Sequence, residues 1–279
     1  MIGNPQSVAL ASTTLDSERH ESTPVVVLHG LFGSSANWRT VGRALATRRP
    51  VYLLDARNHG GSPHTERMSY DDQSRDLEAF LDRQGLDEAN IIGHSMGGKA
   101  AMRFALTTPS RVAALVIVDI APVSYSVTTT TGGGENEHAH LIDTMLRLDP
   151  GEFTERRGID AALSDEITDP TLRAFLMHNL LRDGKGFRWR LNLPILRASL
   201  SALRAFPLDS ITPFTQPTLF IQGAKSDYIS AACFPNMSAL FPNYALTSIS
   251  DAGHWVHAEQ PESVVNAIET FFDKADREA

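Results

Sequence analysis

A serine between glycines follows an apolar run in "NIIGHSMGGKA", residues 90–100. Gly93, Ser95 and Gly97 form the pattern G-x-S-x-G. At a strand-to-helix turn, this pattern holds the serine in a strained conformation that leaves little room for flanking side chains. The residues before it predict a strand, and "GGKAAMRFALTTP" after it predicts a helix. Ser95 is therefore the predicted nucleophile for attack on a carbonyl carbon, and the alternative interpretation is a glycine-rich turn without chemistry.

A serine becomes a good nucleophile when a base accepts its proton, and histidine has a suitable pKa near neutrality. His254, in "SDAGHWVHAEQP", follows the last predicted strand and comes after Ser95 in the expected chain order. The negative oxygen formed during attack needs N–H donors. The predicted donors are the backbone amides of Met96, directly after the serine, and of Leu31 in "HGLFGSS", with Phe32 as the reserve for Leu31.

Two aspartates compete to be the carboxylate that orients this histidine. Asp227, in "IQGAKSDYI", follows a predicted strand and gives the chain order serine, aspartate, histidine. Asp119, in "VIVDIAP", ends the strand directly after the nucleophile helix and could also reach the histidine. Chain order favours Asp227, and the other aspartate would then cap its own loop.

The elements that must position these residues are predicted to form an α/β fold. Strand-like and helix-like runs alternate through residues 1–122, as in strand–helix–strand units around a mostly parallel sheet flanked by helices. The same alternation of strand-like and helix-like runs returns in residues 214–279. Residues 1–122 and 214–279 are therefore assigned to one core domain. Residues 123–213 are predicted to be a small helical cap inserted into it. The polar stretch "TTTTGGGENEHAH", residues 128–140, is predicted to be a mobile loop.

Composition narrows the possible partners and locations. The formal net charge is −8 and the basic residues are scattered, so nucleic acid is not an expected partner. The only cysteine, Cys233, excludes an intramolecular disulfide and a cysteine-based metal site. No apolar run is long enough to span a bilayer, and the first residues lack the features of a signal peptide. The expected location is the cytoplasm, and the sequence does not predict an oligomeric state.

Several segments together resemble those of a known family. "VVVLHGLFGSSANW", "VYLLDARNHGGSPH", "IIGHSMGGKAAMRFAL" and "AGHWVHAEQP" resemble the α/β-hydrolases, and more narrowly the YbfF-like esterases and the abhydrolase domain-containing protein 11 group. The resemblance implies a serine carboxylesterase with a small helical lid and no metal or organic cofactor. It implies a triad of Ser95, His254 and a carboxylate. That family often has its acid at the position of Asp119, whereas this chain has carboxylates at both candidate positions.

The expected reaction is hydrolysis of short- to medium-chain acyl esters through an acyl-enzyme, with a small-molecule ester as the partner. Phe32, Met177 and Trp189 are predicted to line the substrate pocket. A thioesterase or an acyltransferase with the same triad is the nearest alternative, and a non-catalytic small-molecule-binding protein is the alternative from another class. Lys99 lies in the first helical turn, where its charge opposes the helix dipole, and the sequence gives it no role.

Overall fold

The computed structural model describes residues 7–17, 22–125, 135–207 and 212–278. Seven strands form the main sheet in the spatial order β1-β3-β2-β4-β5-β8-β9. The strands are β1 (Ser12–Leu15), β2 (Val25–Leu28), β3 (Val51–Leu54), β4 (Ala89–His94), β5 (Val112–Val118), β8 (Thr218–Gly223) and β9 (Tyr244–Ile249). β1 pairs antiparallel with β3, and all the other pairs are parallel. The predicted mostly parallel α/β sheet is confirmed.

Helices cover both faces of this sheet, which explains why its central strands are continuous apolar runs. The helices of the core are α1 (Arg39–Leu45), α2 (Tyr70–Gln84), α3 (Met96–Thr107), α8 (Phe234–Leu240), α9 (Val256–Glu259) and α10 (Pro261–Glu278). One face packs against α1 and α10 through residues such as Val41 and Phe272. The other face packs against α2 and α3 through residues such as Phe80 and Phe104. Every residue of β2 and β4 is buried between these layers.

The register between β4 and β5 places the ends of these two central strands at the same level of the sheet. β4 and β5 are neighbours, and their pairing sets His94 opposite Val118. The next residues are Ser95 and Asp119, so both leave the sheet side by side at its carboxyl edge. The backbone confirms this, because the Ser95 amide donates to the Val118 carbonyl at 3.1 Å. Ligand sites of open α/β sheets lie at this edge.

The start and the end of α2 follow local sequence signals. Ser69 caps the helix by accepting a hydrogen bond from the Asp72 amide, and the Asp72 side chain bonds back to the Ser69 amide. Gly85 ends the helix in a left-handed conformation with φ of 66°. The strand β1 was not predicted, because its sequence STTL is largely polar and half of its residues are exposed.

The segment between β5 and β8 holds α4 (Glu135–Arg147), α5 (Arg156–Leu163), α6 (Pro170–Met177) and α7 (Leu193–Arg204). It also holds a two-stranded hairpin of β6 (Leu180–Asp183) and β7 (Gly186–Trp189), which the prediction of a small helical cap did not include. We call residues 123–213 the cap segment, and none of its described strands joins the main sheet.

The predicted mobile loop of residues 128–140 is only partly described. Its last residues, including His138 and His140, lie in α4, so a loop is wrong for that part. Residues 126–134 lie outside the described residues. Across the described ranges, no helix is both long enough and apolar enough to cross a membrane.

Candidate active site

Ser95 lies in the turn that joins β4 to α3, with φ of 51° and ψ of −117°. The flanking glycines are required by close backbone contacts. A Cβ atom on Gly93 would lie 2.4 Å from the Gly97 carbonyl oxygen, and one on Gly97 would lie 2.5 Å from the Leu28 carbonyl oxygen. The G-x-S-x-G pattern is therefore a sharp turn that holds the serine side chain above the sheet edge.

A chain of hydrogen bonds links Ser95, His254 and Asp119. The Nε2 atom of His254 is 3.0 Å from the Ser95 Oγ, and its Nδ1 atom is 2.7 Å from the Asp119 Oδ2. Asp119 is fully buried, whereas the His254 side chain keeps 18% of its surface exposed. In this arrangement the carboxylate fixes the histidine tautomer, and Nε2 is free to accept the serine proton.

Asp119, and not Asp227, is the partner of His254, so the preference drawn from chain order is wrong. Asp119 has a left-handed backbone with φ of 52°, which turns its side chain along the sheet edge after β5. Its Oδ1 accepts from the Gly223 amide at 3.0 Å, and its Oδ2 also accepts from the Ser226 hydroxyl. Asp227 is exposed on the same loop as Ser226.

Ser226 is a site residue that sequence reasoning missed. Its hydroxyl donates to the carboxylate that also binds His254, and it thereby helps to fix the position of that carboxylate. The available signal was its position in "GAKSD", directly after the strand β8 whose end meets the end of β5. The adjacent aspartate was the more conspicuous residue type, which is why the serine was overlooked.

Aromatic and histidine rings surround His254 on its buried sides. The Tyr228 ring stacks on the imidazole at 4.1 Å between centroids. His94 donates from Nε2 to the His254 carbonyl oxygen at 2.9 Å, and burial holds the pKa of His94 well below its usual value. His257 stacks on Trp38 at 4.4 Å, and burial lowers the pKa of His257 to about 3. Both histidines are therefore neutral near neutral pH. His94 holds the His254 backbone without adding charge, and His257 packs behind His94 with ring centres 4.6 Å apart.

The predicted oxyanion donors lie beside the nucleophile. Met96 is the first residue of α3, where backbone N–H groups have no partner within the helix. Leu31 and Met96 both contact the cavity that contains Ser95. Phe32, the reserve donor, has φ of 63°, and its carbonyl oxygen accepts from the Asn179 side chain of the cap segment at 2.8 Å. The dipole of α3 adds positive potential at the same place.

Two cavities meet at Ser95 between the sheet edge and the cap segment. The Lys99 cavity is the smaller of the two, and its wall includes Met96, Lys99, Tyr125 and Arg204. The Trp255 cavity is larger, and its wall includes His254 with the apolar or aromatic side chains of Phe32, Leu141, Leu172, Phe175 and Trp255. The expectation that Phe32 lines a pocket beside the serine agrees with this geometry.

Met177 and Trp189 line neither of these cavities, so their predicted place in the substrate pocket is wrong. Met177 is buried, and its carbonyl oxygen accepts from the Arg156 guanidinium. Trp189 donates from Nε1 to the Met145 carbonyl oxygen at 3.0 Å. The Trp189 bond joins the hairpin to α4, and the Met177 bond joins α6 to α5. Among the residues that the structure describes, no group of three or more histidine, cysteine or acidic side chains is arranged to hold a metal ion.

Residues 23–261 match the family described as having the alpha/beta hydrolase fold. This chain belongs to that family. The sn-1-specific diacylglycerol lipase ABHD11 of Xenopus laevis is 41% identical over 258 residues, which cover 90% of this chain and 80% of that protein. Esterase YbfF of Escherichia coli K12 is 33% identical over 255 residues, which cover 91% of this chain and 95% of that protein.

A solved structure described as a marine microorganism esterase superposes with a TM-score of 0.89 at 37% identity. The match covers 95% of this chain and all of that one. Within the α/β-hydrolases, the chain therefore belongs to the group that contains YbfF and ABHD11, as the sequence resemblance predicted.

Proposed function

We propose that this protein is a serine carboxylesterase that hydrolyses short- to medium-chain acyl esters. The observation that carries the proposal is the continuous chain of hydrogen bonds from Asp119 through His254 to Ser95. The relatives in the same group include proteins named as an esterase and as a lipase, which supports a small-molecule ester as the substrate.

The proposed reaction has two steps, each through a tetrahedral intermediate. His254 accepts the Ser95 proton while Oγ attacks the ester carbonyl, and the amides of Met96 and Leu31 bind the developing oxyanion. The His254 imidazolium then protonates the departing alcohol. Water repeats these steps on the acyl-enzyme and releases the acid. The Asp119 carboxylate orients the imidazole and stabilises the imidazolium.

The two cavities suit the two halves of an ester. The leaving oxygen must depart beside the Nε2 atom of His254, so the alcohol portion belongs in the Trp255 cavity, which has His254 in its wall. The acyl portion then occupies the Lys99 cavity, which has Met96 in its wall but lacks His254. The smaller size of the Lys99 cavity supports an acyl chain of limited length, and the aromatic walls of the other suit an apolar alcohol.

A rate measurement with p-nitrophenyl butyrate tests the proposal. We expect turnover by the wild type without added metal, and a loss of about 10³-fold or more in Ser95→Ala. Ser201→Ala, at an exposed position of α7, is the matched control and should keep the wild-type rate. If the wild type and Ser95→Ala are equally slow although both are folded, hydrolysis of simple esters through Ser95 is refuted.

The same triad could serve a thioesterase or an acyltransferase, and the leaving group separates these from an esterase. The rate of hydrolysis of butyryl thioesters, and the rate of acyl transfer to an added alcohol, are measured beside the rate of ester hydrolysis. The fastest of the three shows which reaction dominates. A non-catalytic binding protein would bind these compounds without turnover. The cytoplasmic location expected from the sequence stays part of the proposal, supported by the presence of a single, buried cysteine.

A further inference from the structure

Lys99 is a buried cation in the wall of the cavity that contains the nucleophile. Its side chain is 1% exposed, and it lies one helical turn after Ser95 on α3. The ammonium group donates to the carbonyl oxygens of Arg204 at 2.6 Å and of Ala205 at 3.2 Å. It also lies 4.7 Å above the centre of the Tyr125 ring. These contacts fix the position of the charge at the end of α7.

None of these contacts supplies a negative charge. Among the described residues, no carboxylate forms an ion pair with Lys99, and the charged group that acts on it is the cation Arg204. Arg204 lines the same cavity, whose described wall contains no acidic residue. Burying a cation without an opposite charge costs free energy, and the two carbonyl groups and the aromatic ring that hold the Lys99 ammonium are all neutral. The electrostatics of the Lys99 cavity therefore favour an anion that comes from outside the chain.

We propose that the Lys99 cavity binds an acyl group that ends in a carboxylate, so that the preferred substrates are half-esters of dicarboxylic acids. This inference rests on the proposed function and on the assignment of the acyl group to that cavity. Lys99 comes four residues after Ser95, about 6 Å along the helix axis, which suits an acyl chain of about four to six carbons. The carboxylate meets the Lys99 ammonium while the ester carbonyl lies against Ser95.

The reaction itself is unchanged in this proposal. Ser95 Oγ forms a bond to the acyl carbon as the bond to the alcohol oxygen breaks, and the alcohol leaves with the proton from His254. Water then releases a dicarboxylic acid. The second carboxylate takes no part in bond making, and it acts only through its attraction to Lys99.

The protonation of Lys99 should respond to such a ligand. Burial, with a contribution from Arg204, lowers the pKa of Lys99 to about 7. A carboxylate close to the ammonium stabilises the charged form and opposes this shift. The other titratable groups facing the cavity do not change charge from about pH 6 to 9: burial raises the pKa of Tyr70, Tyr125 and Tyr228, and burial lowers the pKa of His138 to about 4.

Two esters with the same chain length and the same leaving group test the proposal. The mono-p-nitrophenyl ester of adipic acid carries the terminal carboxylate, and p-nitrophenyl hexanoate lacks it. At about pH 6, where Lys99 is protonated, we expect the wild type to prefer the adipate ester by about tenfold in kcat/KM. Because both esters use the same triad, any change in triad protonation cancels in the ratio of the two rates.

Lys99→Met removes the charge and keeps an unbranched side chain of similar length. We expect this variant to lower the adipate-to-hexanoate ratio to about one, while a purely structural role of Lys99 would lower both rates together. Lys185→Met, at an exposed position in the turn between β6 and β7, removes the same charge elsewhere and should leave the ratio unchanged.

The wild-type protein offers a test that does not depend on the folding of a variant. As the pH rises above 7, Lys99 loses its proton and the adipate-to-hexanoate ratio should fall. A ratio near or below one at every pH, with continued hydrolysis of the hexanoate ester, would overturn the carboxylate site and leave the esterase proposal standing. If neither ester reacts, titration of adipate into wild type and Lys99→Met decides: binding lost in the variant supports the site, and no binding to the wild type refutes it.

Discussion

The carboxyl edge of the sheet and the cap segment hold their polar groups in different ways. At the edge, Ser95 and Asp119 have left-handed backbone conformations, and Asp119 is fixed by the Gly223 amide and the Ser226 hydroxyl. The cap segment instead presents carbonyl oxygens at the end of α7 to side chains of the core. Tyr70 donates to the Leu203 carbonyl, and Lys99 donates to the Arg204 carbonyl.

This difference indicates that the sheet edge and the cap segment have different roles in the proposed enzyme. Strand register and backbone contacts at the sheet edge fix the groups that would make and break bonds. The cap segment closes cavities over those groups and supplies much of their walls, so it would decide which esters fit. Substitutions at the edge should therefore reduce the rate for every ester, whereas substitutions in the cap should act on particular substrates.

The largest expected effect separates the two aspartates near the edge. Asp119→Asn leaves His254 without the carboxylate that fixes its tautomer, so kcat/KM for p-nitrophenyl butyrate should fall by about 10³- to 10⁴-fold. Asp227→Asn changes an exposed side chain on the same loop and should stay within about threefold of the wild type. A larger loss in Asp227→Asn than in Asp119→Asn would show that the observed pairing with His254 does not carry the reaction.

A substitution in the cap segment is expected to have a smaller effect on the kinetic constants. Phe175 lines the Trp255 cavity and contacts Trp255 with their ring centres 5.6 Å apart. Phe175→Ala removes apolar surface from the proposed alcohol side, so KM for aryl esters should rise by about fivefold with little change in kcat.

Trp189→Phe is the matched control for Phe175→Ala, because Trp189 is an aromatic residue of the cap that lines neither cavity. The substitution keeps most of the ring and loses only the hydrogen bond to the Met145 carbonyl. Its kinetic constants for aryl esters should stay within about twofold of the wild type. If KM rises in Trp189→Phe as much as in Phe175→Ala, the assignment of Phe175 to the wall of the Trp255 cavity, with Trp189 outside it, is contradicted.

Local sequence signals were enough for the parts of the site that depend on neighbours in the chain. Ser95 was identified because its glycines, strand and helix are adjacent to it, and the geometry of its turn agrees with that reading. The ends of α2 depend in the same way on nearby residues, because Ser69 caps its start and Gly85 ends it. The position of His254 beside Ser95 also agrees with the expectation from chain order.

The errors concern features that depend on distant contacts. Asp119 reaches His254 because β5 pairs with β4 in one register, and chain order does not contain that information. The hairpin was missed although Gly184 and Lys185 form a two-residue turn between its strands, with Gly184 at φ of 55° in the first position, where glycine is a typical signal. Met177 and Trp189 are apolar residues of the cap, and only the packed structure shows that they point away from both cavities.

The most direct test of the central claim is covalent labelling with diethyl p-nitrophenyl phosphate, a phosphate ester that reacts with activated serines and leaves a stable adduct. The account predicts release of one equivalent of p-nitrophenolate, complete loss of esterase activity, and a diethylphosphoryl group on the peptide that contains Ser95. Ser95→Ala should give none of these. An active esterase that stays unlabelled, or one whose label lies on another residue, would contradict Ser95 as the nucleophile.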